Sequence, residues 1–504
     1  MIEGVIVLLH TITSILPKVH GGRTKSLLYR VKFLEENLNQ KSIIHTTNYD
    51  PDYINIYEDF KDRGLINDSL IIKNIYEWLS NDNLLEKYTQ PTIFNKRIKE
   101  TKIKVPNLIE KIDKIDKNIV RYYKDDEYVL YRNFYEGTDV LKFEDFMSPI
   151  SKKKLERREY TKNGVLHRIT NYSANKYSKL YEEYYNKKGD LYLKKYFSDI
   201  DKNKLLYIAF YRDNRPFKFF ENEKEMFTYY FNHVLEDGAI VFNDARLLDK
   251  SLIECNKQLK RVLVFHSTHL VDNGIRSSYK IALNKNSEID KYIVLTNYQK
   301  QDIQQEFQIN DSKIKVIPHF VERINDSNII DKIDQFCYVG RISKEKQIDH
   351  IIRAFSKYIK KGYESKLLIY GKDEDGEKNI LLNLISELNL EEFVEFKGYT
   401  NNPKEVFRKS IASILTSKFE GFGLTIMESL NNGCPIISYN IKYGPSELIE
   451  NYQNGILVDK NNIDELAIAM ENARNKPLKD VKLSENFSKQ SAINNFKKLL
   501  DELQ

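Results

Sequence analysis

The chain has 504 residues, of which 41% are hydrophobic and 30% charged, a balance typical of a folded globular protein with two or three domains. It contains no run of about 18 apolar residues, which argues against a membrane-spanning helix. Its three cysteines, Cys255, Cys337 and Cys434, are far apart. This spacing argues against a disulfide framework or a zinc site and favours reduced thiols in the cytoplasm.

Positive charge is concentrated in one part of the chain. The formal net charge is +6, and residues 151–200 alone contain thirteen lysines and arginines against six acidic residues. A basic surface attracts nucleic acid, anionic lipid or a phosphate-linked polymer, whereas a merely solvated lysine-rich surface has no particular partner. Composition leaves both interpretations open.

The chain begins with an α/β pattern. "VIVLL" predicts a buried strand, because an acidic residue precedes it where a signal peptide would have a basic segment, and the apolar stripe after Gly21-Gly22 predicts a helix. The pattern resumes near Lys204 and continues through "AIVFND", "RVLVFH", "KYIVLT" and "KIKVIPH". We therefore predict one Rossmann-like domain in two parts, residues 1–75 and 204–317.

A segment with a different sequence pattern separates these two parts. Residues 76–203 include a long stretch rich in Tyr, Phe and Lys with alternating polarity. Within it, "EYTKNGVLHRITNY" and "EYYNKKGDLYLKKYF" are typical of hairpins with Asn-Gly or Lys-Lys-Gly-Asp at the tip. These features predict an inserted antiparallel β-meander, whose basic and aromatic surface suits acceptor binding or oligomerisation.

The C-terminal part repeats a strand, a turn and an amphipathic helix, beginning with "FCYVG" and "KLLIYG". This alternation predicts a second doubly wound domain over residues 318–485, followed by a C-terminal helix over residues 486–504. The predicted fold class is α/β, with two Rossmann-like domains facing a cleft. Ligands of such folds bind in loops at the carboxyl ends of the strands.

Two of these loops contain residues suited to phosphate groups. Gly21 and Gly22 precede a helix and let its N-terminus approach an anion, although a plain tight turn has the same pattern. Arg341 and Lys346, in "GRISKEKQ", lie between a strand and a helix, where both cations can reach one diphosphate. Two solvated cations are the alternative, and the position at a strand end favours the functional interpretation.

A third segment, "SKFEGFGLTIMES", contains two carboxylates that formation of the fold does not by itself require. Glu420 lies in the loop after the strand "IASILTS", and Glu428 lies in a helix predicted to begin at Leu424. The backbone N–H groups of Gly423, Leu424 and Thr425 are then free to bind an anion. The two carboxylates suit the hydroxyl groups of a sugar and of a ribose, with plain surface charge as the alternative.

A fourth loop, "FHSTH", places His266 and His269 directly after the strand "RVLVF". Histidines near a phosphate-binding cleft donate hydrogen bonds or transfer protons, while buried structural histidines are the alternative. We predict a functional role for His266.

These motifs resemble a known family. "EGFGLTIMES", with seven residues between its glutamates, and "GRISKEK" upstream are similar to motifs of the retaining, nucleotide-sugar-dependent glycosyltransferases of family 4, which have the GT-B fold. "NIKYGPSELIENYQNG", the early Gly-Gly and the inserted meander narrow the resemblance to bacterial wall teichoic acid α-glycosyltransferases, including poly(glycerol-phosphate) α-glucosyltransferases.

The resemblance implies a role for each matching position. Arg341 and Lys346 would neutralise the donor diphosphate, while Glu420 and His266 would lie at the transferred sugar, and these four are the implied catalytic residues. The implied donor-binding residues, with Glu428 at the ribose and "KGYT" at the base, are Gly21, Gly22, Gly398, Tyr399, Thr400, Phe422, Gly423, Leu424, Thr425 and Glu428. The predicted acceptor-binding residues are His269, Lys152, Lys153 and Lys154.

The chain departs from the family pattern in two places. Pro318-His319-Phe320 replaces the common Pro-Asn-Gly, and Gln347 follows the motif lysine where a glycine is common. Both differences leave the local shape of a loop open.

We expect a transferase that uses no cofactor and no metal ion. Arg341, Lys346 and the helix that begins near Gly423 would stabilise the leaving nucleoside diphosphate. The acidic residues 373–375 follow a strand and could hold magnesium, but a solvated turn is the expected role. The resemblance implies retention of configuration by attack on the same face, because neither motif glutamate is evidently placed as a nucleophile.

The expected partners are a UDP-sugar and an anionic polyol-phosphate polymer, with no nucleic acid. We expect a cytoplasmic homo-oligomer, with a trimer as one form and at most peripheral contact with the inner face of the membrane. The sequence does not separate glucose from N-acetylglucosamine, or glycerol from ribitol phosphate.

Three other functions fit parts of the pattern: a protein O-glycosyltransferase acting on serine-rich adhesins, a nucleotide-sugar 2-epimerase, and a non-catalytic polyanion-binding scaffold. A scaffold would need none of Arg341, Lys346 and Glu420, so their joint presence argues against it.

Overall fold

The computed structural model describes residues 8–18, 22–81, 99–271, 274–322 and 331–504. The chain divides into two compact units, Met1–Leu259 and Lys260–Gln504. In the described parts of both units, every helix is too short or too polar to cross a lipid bilayer.

The N-terminal unit begins with the predicted alternation of strands and helices. Its first elements are β1 (Leu9–Thr13), α1 (Gly22–Leu38), β2 (Ser42–Thr46), α2 (Tyr53–Asp62), β3 (Ile71–Asn74) and α3 (Ile75–Ser80). Strands β1, β2 and β3 are parallel neighbours in that order. All residues of β1 and β2 are buried, as expected for a parallel sheet with both faces covered.

A ten-stranded antiparallel meander follows, in which each strand pairs with the next along the chain. The strands are β4 (Ile109–Ile112), β5 (Ile119–Lys124), β6 (Glu127–Phe134), β7 (Leu141–Met147), β8 (Lys154–Tyr160), β9 (Leu166–Tyr172), β10 (Lys179–Tyr185), β11 (Leu191–Phe197), β12 (Leu205–Arg212) and β13 (Arg215–Phe220). Both predicted hairpins are confirmed, as β8–β9 and β10–β11.

The meander extends beyond residue 203, where the α/β pattern was expected to resume. Strands β12 and β13 are joined by Asp213 and Asn214, both with positive φ, as a two-residue hairpin turn requires. "LLYIAFYR" is apolar enough to suggest a buried parallel strand. Its pairing with β11 and β13 makes it part of the antiparallel sheet instead.

Most positive charges in residues 151–200 are compensated within the unit. At least nine of the thirteen cations contact a carboxylate, namely Lys152, Lys154, Arg157, Arg158, Lys162, Arg168, Lys179, Lys194 and Lys195. This part of the meander therefore carries much less uncompensated positive charge than its composition suggests.

The chain then returns to the parallel sheet of the N-terminal unit. Helix α4 (Glu223–Val234), strand β14 (Ile240–Asn243) and helix α5 (Asp249–Ile253) are the last elements of this unit, and β14 pairs with β1, so the strand order within the unit is β3-β2-β1-β14. Arg30 of α1 donates two hydrogen bonds, of 2.9 and 2.6 Å, to Asp244 directly after β14. This buried bidentate pair fixes helix α1 to the end of β14.

The C-terminal unit contains a second set of parallel strands. It begins with β15 (Lys260–Val264), β16 (Leu270–Val271), β17 (Gly274–Ile275), α6 (Ser277–Asn284), β18 (Lys291–Val294), α7 (Asn297–Phe307) and β19 (Ile314–Val316). Strands β15, β18 and β19 are parallel neighbours, and each matches a predicted strand.

The doubly wound part of this unit follows. Its elements are β20 (Gln335–Val339), α8 (Ile348–Ile359), β21 (Lys366–Tyr370), α9 (Glu377–Glu387), β22 (Val394–Gly398), α10 (Pro403–Lys409), β23 (Ala412–Leu415), α11 (Leu424–Asn431), β24 (Ile436–Tyr439), α12 (Gly444–Leu448), β25 (Gly455–Val458), α13 (Ile463–Asn475) and α14 (Lys489–Asp501). The six strands are parallel in the order β22-β21-β20-β23-β24-β25. The order therefore reverses between β20 and β23.

Several histidines are buried in the N-terminal unit. His10 Nδ1 lies 3.0 Å from His45 Nε2, and His45 Nδ1 lies 2.9 Å from the hydroxyl of Tyr230. Burial lowers the pKa of His45 to about 3, with a further contribution from His10, and burial also lowers the pKa of His167 to about 3. Both rings are therefore neutral in the folded protein at neutral pH.

Acidification should destabilise this unit. Each histidine has a pKa near 6.5 when unfolded and about 3 when folded, so below about pH 6.5 the unfolded chain binds protons that the folded chain does not. The free energy of unfolding should fall by about 1.4 kcal/mol per pH unit for each of His45 and His167 between roughly pH 6 and pH 4. Urea titrations followed by circular dichroism at a series of pH values measure this fall.

His167→Gln should reduce that pH dependence, because it removes one of the buried imidazoles whose pKa is lowered. A free energy of unfolding that stays constant from pH 7.5 to pH 5 would contradict the assignment of neutral buried histidines.

Candidate active site

The reversal of strand order in the C-terminal unit defines one crevice. Loops that follow β20 and β23 diverge to opposite sides of the sheet, and ligands of open parallel sheets bind at this point. These are the loops of residues 340–347 and 416–423. The sequence placed Arg341, Lys346 and Glu420 in them.

A half-buried ion pair joins the two loops. Lys346 Nζ donates to Glu420 Oε1 at 2.7 Å, and the Ser417 hydroxyl donates to the same oxygen at 2.7 Å. The side chains of Lys346 and Glu420 are 13% and 14% exposed, so solvent weakens the pair only partly. Thr416 reinforces the junction by donating to the backbone carbonyls of Lys346 and Gln347, at 3.0 and 2.8 Å.

Arg341 lies at the more exposed end of the same loop. Its Nη1 donates to Glu374 at 2.8 Å, and its Nη2 contacts Glu345, which is also 3.9 Å from Lys346 Nζ. Burial lowers the pKa of Arg341, but the hydrogen bond to Glu374 and the charge of Glu345 outweigh it and raise the pKa overall. The loop thus places Arg341 and Lys346 on either side of the Glu345 carboxylate.

Gln347 occupies the position after the motif lysine where related sequences commonly have a glycine. It adopts a left-handed conformation, with φ 47° and ψ 47°, immediately before α8. A glycine populates this region readily, whereas a residue with a Cβ is strained there. The loop therefore keeps the backbone that a glycine would give, at a cost in stability.

The helix predicted at Leu424 is confirmed. Helix α11 starts at Leu424 after Gly423, whose φ is 91°, and the Gly423 carbonyl accepts from the N–H of Ile426 at 2.9 Å. Within the described residues, the N–H groups of Leu424 and Thr425 donate to no other backbone group. They remain available to an anion in the crevice.

The "FHSTH" loop reaches the same place. A Cβ on Gly421 would lie 2.7 Å from the Cα of Ser267 and 2.8 Å from the carbonyl oxygen of His266, so only glycine permits this approach. His319 stacks on His266 with ring centroids 6.5 Å apart, and it meets the edge of Phe422 at 5.1 Å. The structure thus brings His266 and Phe422 together, with His319 of the atypical linker between them.

His269 lies away from solvent. Its ring is fully buried and parallel to Tyr443, with centroids 6.0 Å apart, and burial lowers its pKa to about 4. Neither ring nitrogen has a hydrogen-bond partner within the described residues. The predicted role of His269 in acceptor binding stays a prediction, and in this structure its side chain has no exposed surface.

Tyr443 instead connects His269 to the crevice. Its N–H donates to the carbonyl of Glu420 at 3.1 Å, and its hydroxyl donates to Asp302 of α7 at 2.9 Å. Lys442 also contacts Asp302, at 2.8 Å. The "NIKYGPSE" segment thus positions Glu420 through its backbone.

The remaining donor residues lie in separate places. Glu428 lies on α11, with its backbone carbonyl bonded to Asn432 at 2.8 Å. Gly398, at the end of β22, precedes Tyr399, which is 75% exposed, and Thr400. Strand β22 is two strands from the crevice, so a contact of these three residues with the base remains a prediction.

The predicted residues of the N-terminal unit are dispersed. Gly21 lies outside the described residues, and Gly22 begins α1. The three lysines 152–154 lie at the start of β8 and in the turn before it. Burial lowers the pKa of Lys154, which lies 4.4 Å from the ring of Tyr172, so this lysine is not a freely solvated cation.

The acidic turn after β21 has two structural roles. Asp373 accepts hydrogen bonds from the N–H groups of Glu377 and Lys378, at 3.0 and 3.4 Å, and so caps α9. Glu374 pairs with Arg341.

Sequence reasoning missed the groups that hold the cations. Glu345 lies inside the "GRISKEK" motif and Glu374 inside the acidic turn. The sequence shows both residues, but it does not indicate that they pair with Arg341. Asp302 had no local signal, because its partner Tyr443 is 141 positions away.

Comparison with known proteins agrees with this architecture. Residues 319–492 match the family model "Glycosyl transferases group 1", and residues 10–211 match "Glycosyl transferase 1 domain A". The chain therefore belongs to the group 1 glycosyltransferases.

Particular relatives are similar along almost the whole chain. The poly(glycerol-phosphate) alpha-glucosyltransferase of Bacillus subtilis is 27% identical, over 94% of this chain and 70% of that protein. The poly(ribitol-phosphate) alpha-N-acetylglucosaminyltransferase of Staphylococcus aureus is also 27% identical, over 89% of this chain and 88% of that protein. The crystal structure of TarM matches with a TM-score of 0.80 at 22% identity, covering all of both chains. The chain has the GT-B fold that the sequence predicted.

The strained residue beside the ion pair gives a test of the loop. Gln347→Gly should raise the free energy of unfolding by about 0.5–1 kcal/mol, because glycine removes the left-handed strain. Urea unfolding followed by circular dichroism measures the change.

Lys344→Gly is the matched control, because Lys344 lies three residues earlier in the same short 3₁₀ turn and has no positive φ. It should lower stability. Equal effects of the two glycine substitutions would contradict strain at Gln347.

Proposed function

We propose that this glycosyltransferase retains the anomeric configuration and moves a hexose, glucose or N-acetylglucosamine, from a UDP-sugar to a poly(polyol-phosphate) wall teichoic acid. The observation that carries the proposal is the Lys346–Glu420 pair at the reversal of strand order, beside the free N-terminus of α11. Both relatives whose names state a polymer acceptor support the choice of acceptor.

The cations serve the leaving group. Negative charge develops on the nucleoside diphosphate as the sugar bond breaks, and preorganised donors stabilise it without reorganisation. Lys346 and Arg341 supply positive charge, and the N–H groups of Leu424 and Thr425 supply directed donors. Because carboxylates already hold both cations in place, little ordering is needed when the donor binds.

Glu420 serves the donor sugar rather than forming a bond to it. Its Oε1 is engaged by Lys346 and Ser417, so the second carboxylate oxygen is the one that would accept hydrogen bonds from sugar hydroxyls. A carboxylate held in this way is a weak nucleophile. Attack of the acceptor hydroxyl on the same face of the sugar is therefore the proposed route to retention.

We propose that the reaction needs no metal ion and no cofactor. Arg341 and Lys346 provide charge where a magnesium ion would otherwise lie. Asp373 already caps α9 and Glu374 already pairs with Arg341, which supports a structural role for this turn.

We also propose a homo-oligomer, with a trimer as one form, that works in the cytoplasm and touches the inner face of the membrane at most peripherally. Strand β13 ends the meander sheet and exposes Phe217 and Phe219, at 52% and 59%. An exposed apolar edge strand favours association with another chain.

The acceptor and donor can be assigned together. Purified enzyme incubated with poly(glycerol phosphate) or poly(ribitol phosphate), and with UDP-glucose or UDP-N-acetylglucosamine, should label one polymer from one donor. Mass spectrometry of the polymer and NMR of the new anomeric linkage give the product. Labelling of a serine-rich peptide in place of either polymer would overturn the proposed acceptor, and sugar conversion without any acceptor would indicate an epimerase.

Removal of either member of the central ion pair should abolish transfer. Lys346→Ala and Glu420→Ala should each lower kcat by about 10²–10³-fold, the loss typical of one preorganised group. Rates of UDP release in the presence of polymer measure this effect.

Lys344→Ala is the matched control. The Lys344 side chain is 81% exposed, and its ion pair in the described part of the chain is a long one, 4.0 Å from Nζ to Glu377 Oε1. It should leave kcat within about twofold of wild type. Normal activity in Lys346→Ala or Glu420→Ala, with circular dichroism unchanged, would refute the site.

A further inference from the structure

The N-terminal unit contains an open cavity of about 440 Å³ that the reaction described above does not use. Thr47, Asn48 and Tyr49, which follow β2, form one side of it, and meander strands β9, β10 and β11 form another. It therefore lies at the carboxyl end of a strand in a parallel sheet, where such folds bind ligands.

Aromatic rings form much of the cavity wall. Tyr49 meets Tyr76 and Tyr184 edge to face, with centroids 4.9 Å apart in each case. The guanidinium of Arg168 lies 5.4 Å from the ring of Tyr49, and Lys195 Nζ lies 5.5 Å from that of Tyr76. These contacts hold the rings and the two cations in fixed positions relative to one another.

Lys195 is the most buried cation of the cavity. It is 6% exposed, and its Nζ donates to the hydroxyl of Tyr76 at 2.9 Å and to Glu223 at 2.6 Å. Burial lowers its pKa, but Tyr184, Tyr76 and Glu223 outweigh this and raise it, so the ammonium stays charged. An ammonium has three N–H donors, so one has no protein partner among the described residues.

The other cations also retain unused donors. Arg168 binds Glu159 through Nε and Nη2, and its Nη1 has no partner in the described part of the chain. Lys179 binds Glu182 and is 36% exposed at the cavity rim. Counting Glu159 behind the wall, cations and carboxylates are equal in number, but the contacts above leave N–H groups of Lys195 and Arg168 without a protein partner among the described residues.

We propose that this cavity binds one phosphodiester-linked polyol unit of the acceptor polymer, away from the reacting hydroxyl. A phosphodiester accepts hydrogen bonds and donates none, which matches the unused donors of Lys195 and Arg168. The polyol carbons would pack on Phe197. The site rests on the proposed function, because it assigns a place to the acceptor proposed above.

The balanced charge of the lining suits a polymer substrate. Directed hydrogen bonds bind each repeat with modest strength, whereas a strongly basic pocket would hold the chain and slow its release. The acceptor would thus be recognised by a few N–H groups rather than by the overall basic composition of residues 151–200.

Adjacent lysines on β11 provide a matched test. Side chains of neighbouring strand residues point to opposite faces, so Lys195 lines the cavity while Lys194 pairs with Glu183 on the other face, at 2.8 Å. Lys195→Met should raise the Kd for a soluble oligo(glycerol phosphate) about tenfold, as expected for loss of one charge-assisted hydrogen bond. Lys194→Met should leave it unchanged.

Isothermal titration calorimetry on full-length protein, without donor, measures binding independently of catalysis. Lys179→Met, at the cavity rim, should also raise the Kd for the oligomer. This variant tests the proposal if Lys195→Met does not fold. In kinetics, both variants should raise KM for the polymer with little effect on KM for the UDP-sugar. Glycerol 3-phosphate should bind more weakly than the oligomer, and glycerol should not bind.

Three outcomes have different meanings. If Lys195→Met and Lys179→Met bind the oligomer as Lys194→Met does, the cavity is not the acceptor site, while the proposed function stands. Equal affinity for glycerol 3-phosphate and the oligomer would indicate a site for small phosphates and overturn the polymer assignment. If wild type neither binds nor glycosylates any polyol-phosphate polymer, the proposed function itself falls.

Discussion

The ion pair between Lys346 and Glu420 is the contact on which the crevice of the C-terminal unit depends. It joins the loops after β20 and β23 at the point where the strand order reverses, and Ser417 and Thr416 add hydrogen bonds across the same junction. A lysine and a glutamate 74 positions apart are thereby held within hydrogen-bond distance before any substrate arrives. In the proposed reaction, that preorganisation lets the charge of Lys346 stabilise the leaving diphosphate and the carboxylate of Glu420 bind the sugar.

Compensated charge is a recurring feature of this protein. Arg341 lies between Glu345 and Glu374, and the meander cations lie beside carboxylates of neighbouring strands. A buried or half-buried cation is costly unless it is paired, so the fold keeps its charges by pairing them. The partners leave some N–H donors of Lys195 and Arg168 unused, and the proposed acceptor site rests on those donors rather than on net charge.

Close backbone contacts bring the loops of the crevice together. Gly421 approaches Ser267 and His266, and a Cβ on Gly444 would lie 1.3 Å from the carbonyl oxygen of Phe422. These glycines allow the loops after β15, β23 and β24 to share one small volume. Tyr443 then bonds the Glu420 carbonyl, so the position of the carboxylate is set by a segment that never contacts it through side chains.

The sequence by itself determined the local elements and the loops that carry the site. Apolar periodicity located α8 and the strands of the doubly wound sheet, and the glycine before Leu424 located the start of α11. Only the tertiary structure decided which side chains meet. His269 is buried, and Glu374 pairs with Arg341. Strand β12 belongs to the antiparallel meander, although its apolar residues are typical of a buried parallel strand. Periodicity reports which face of an element is buried, whereas pairing between distant residues depends on strand order and packing, which no local pattern encodes.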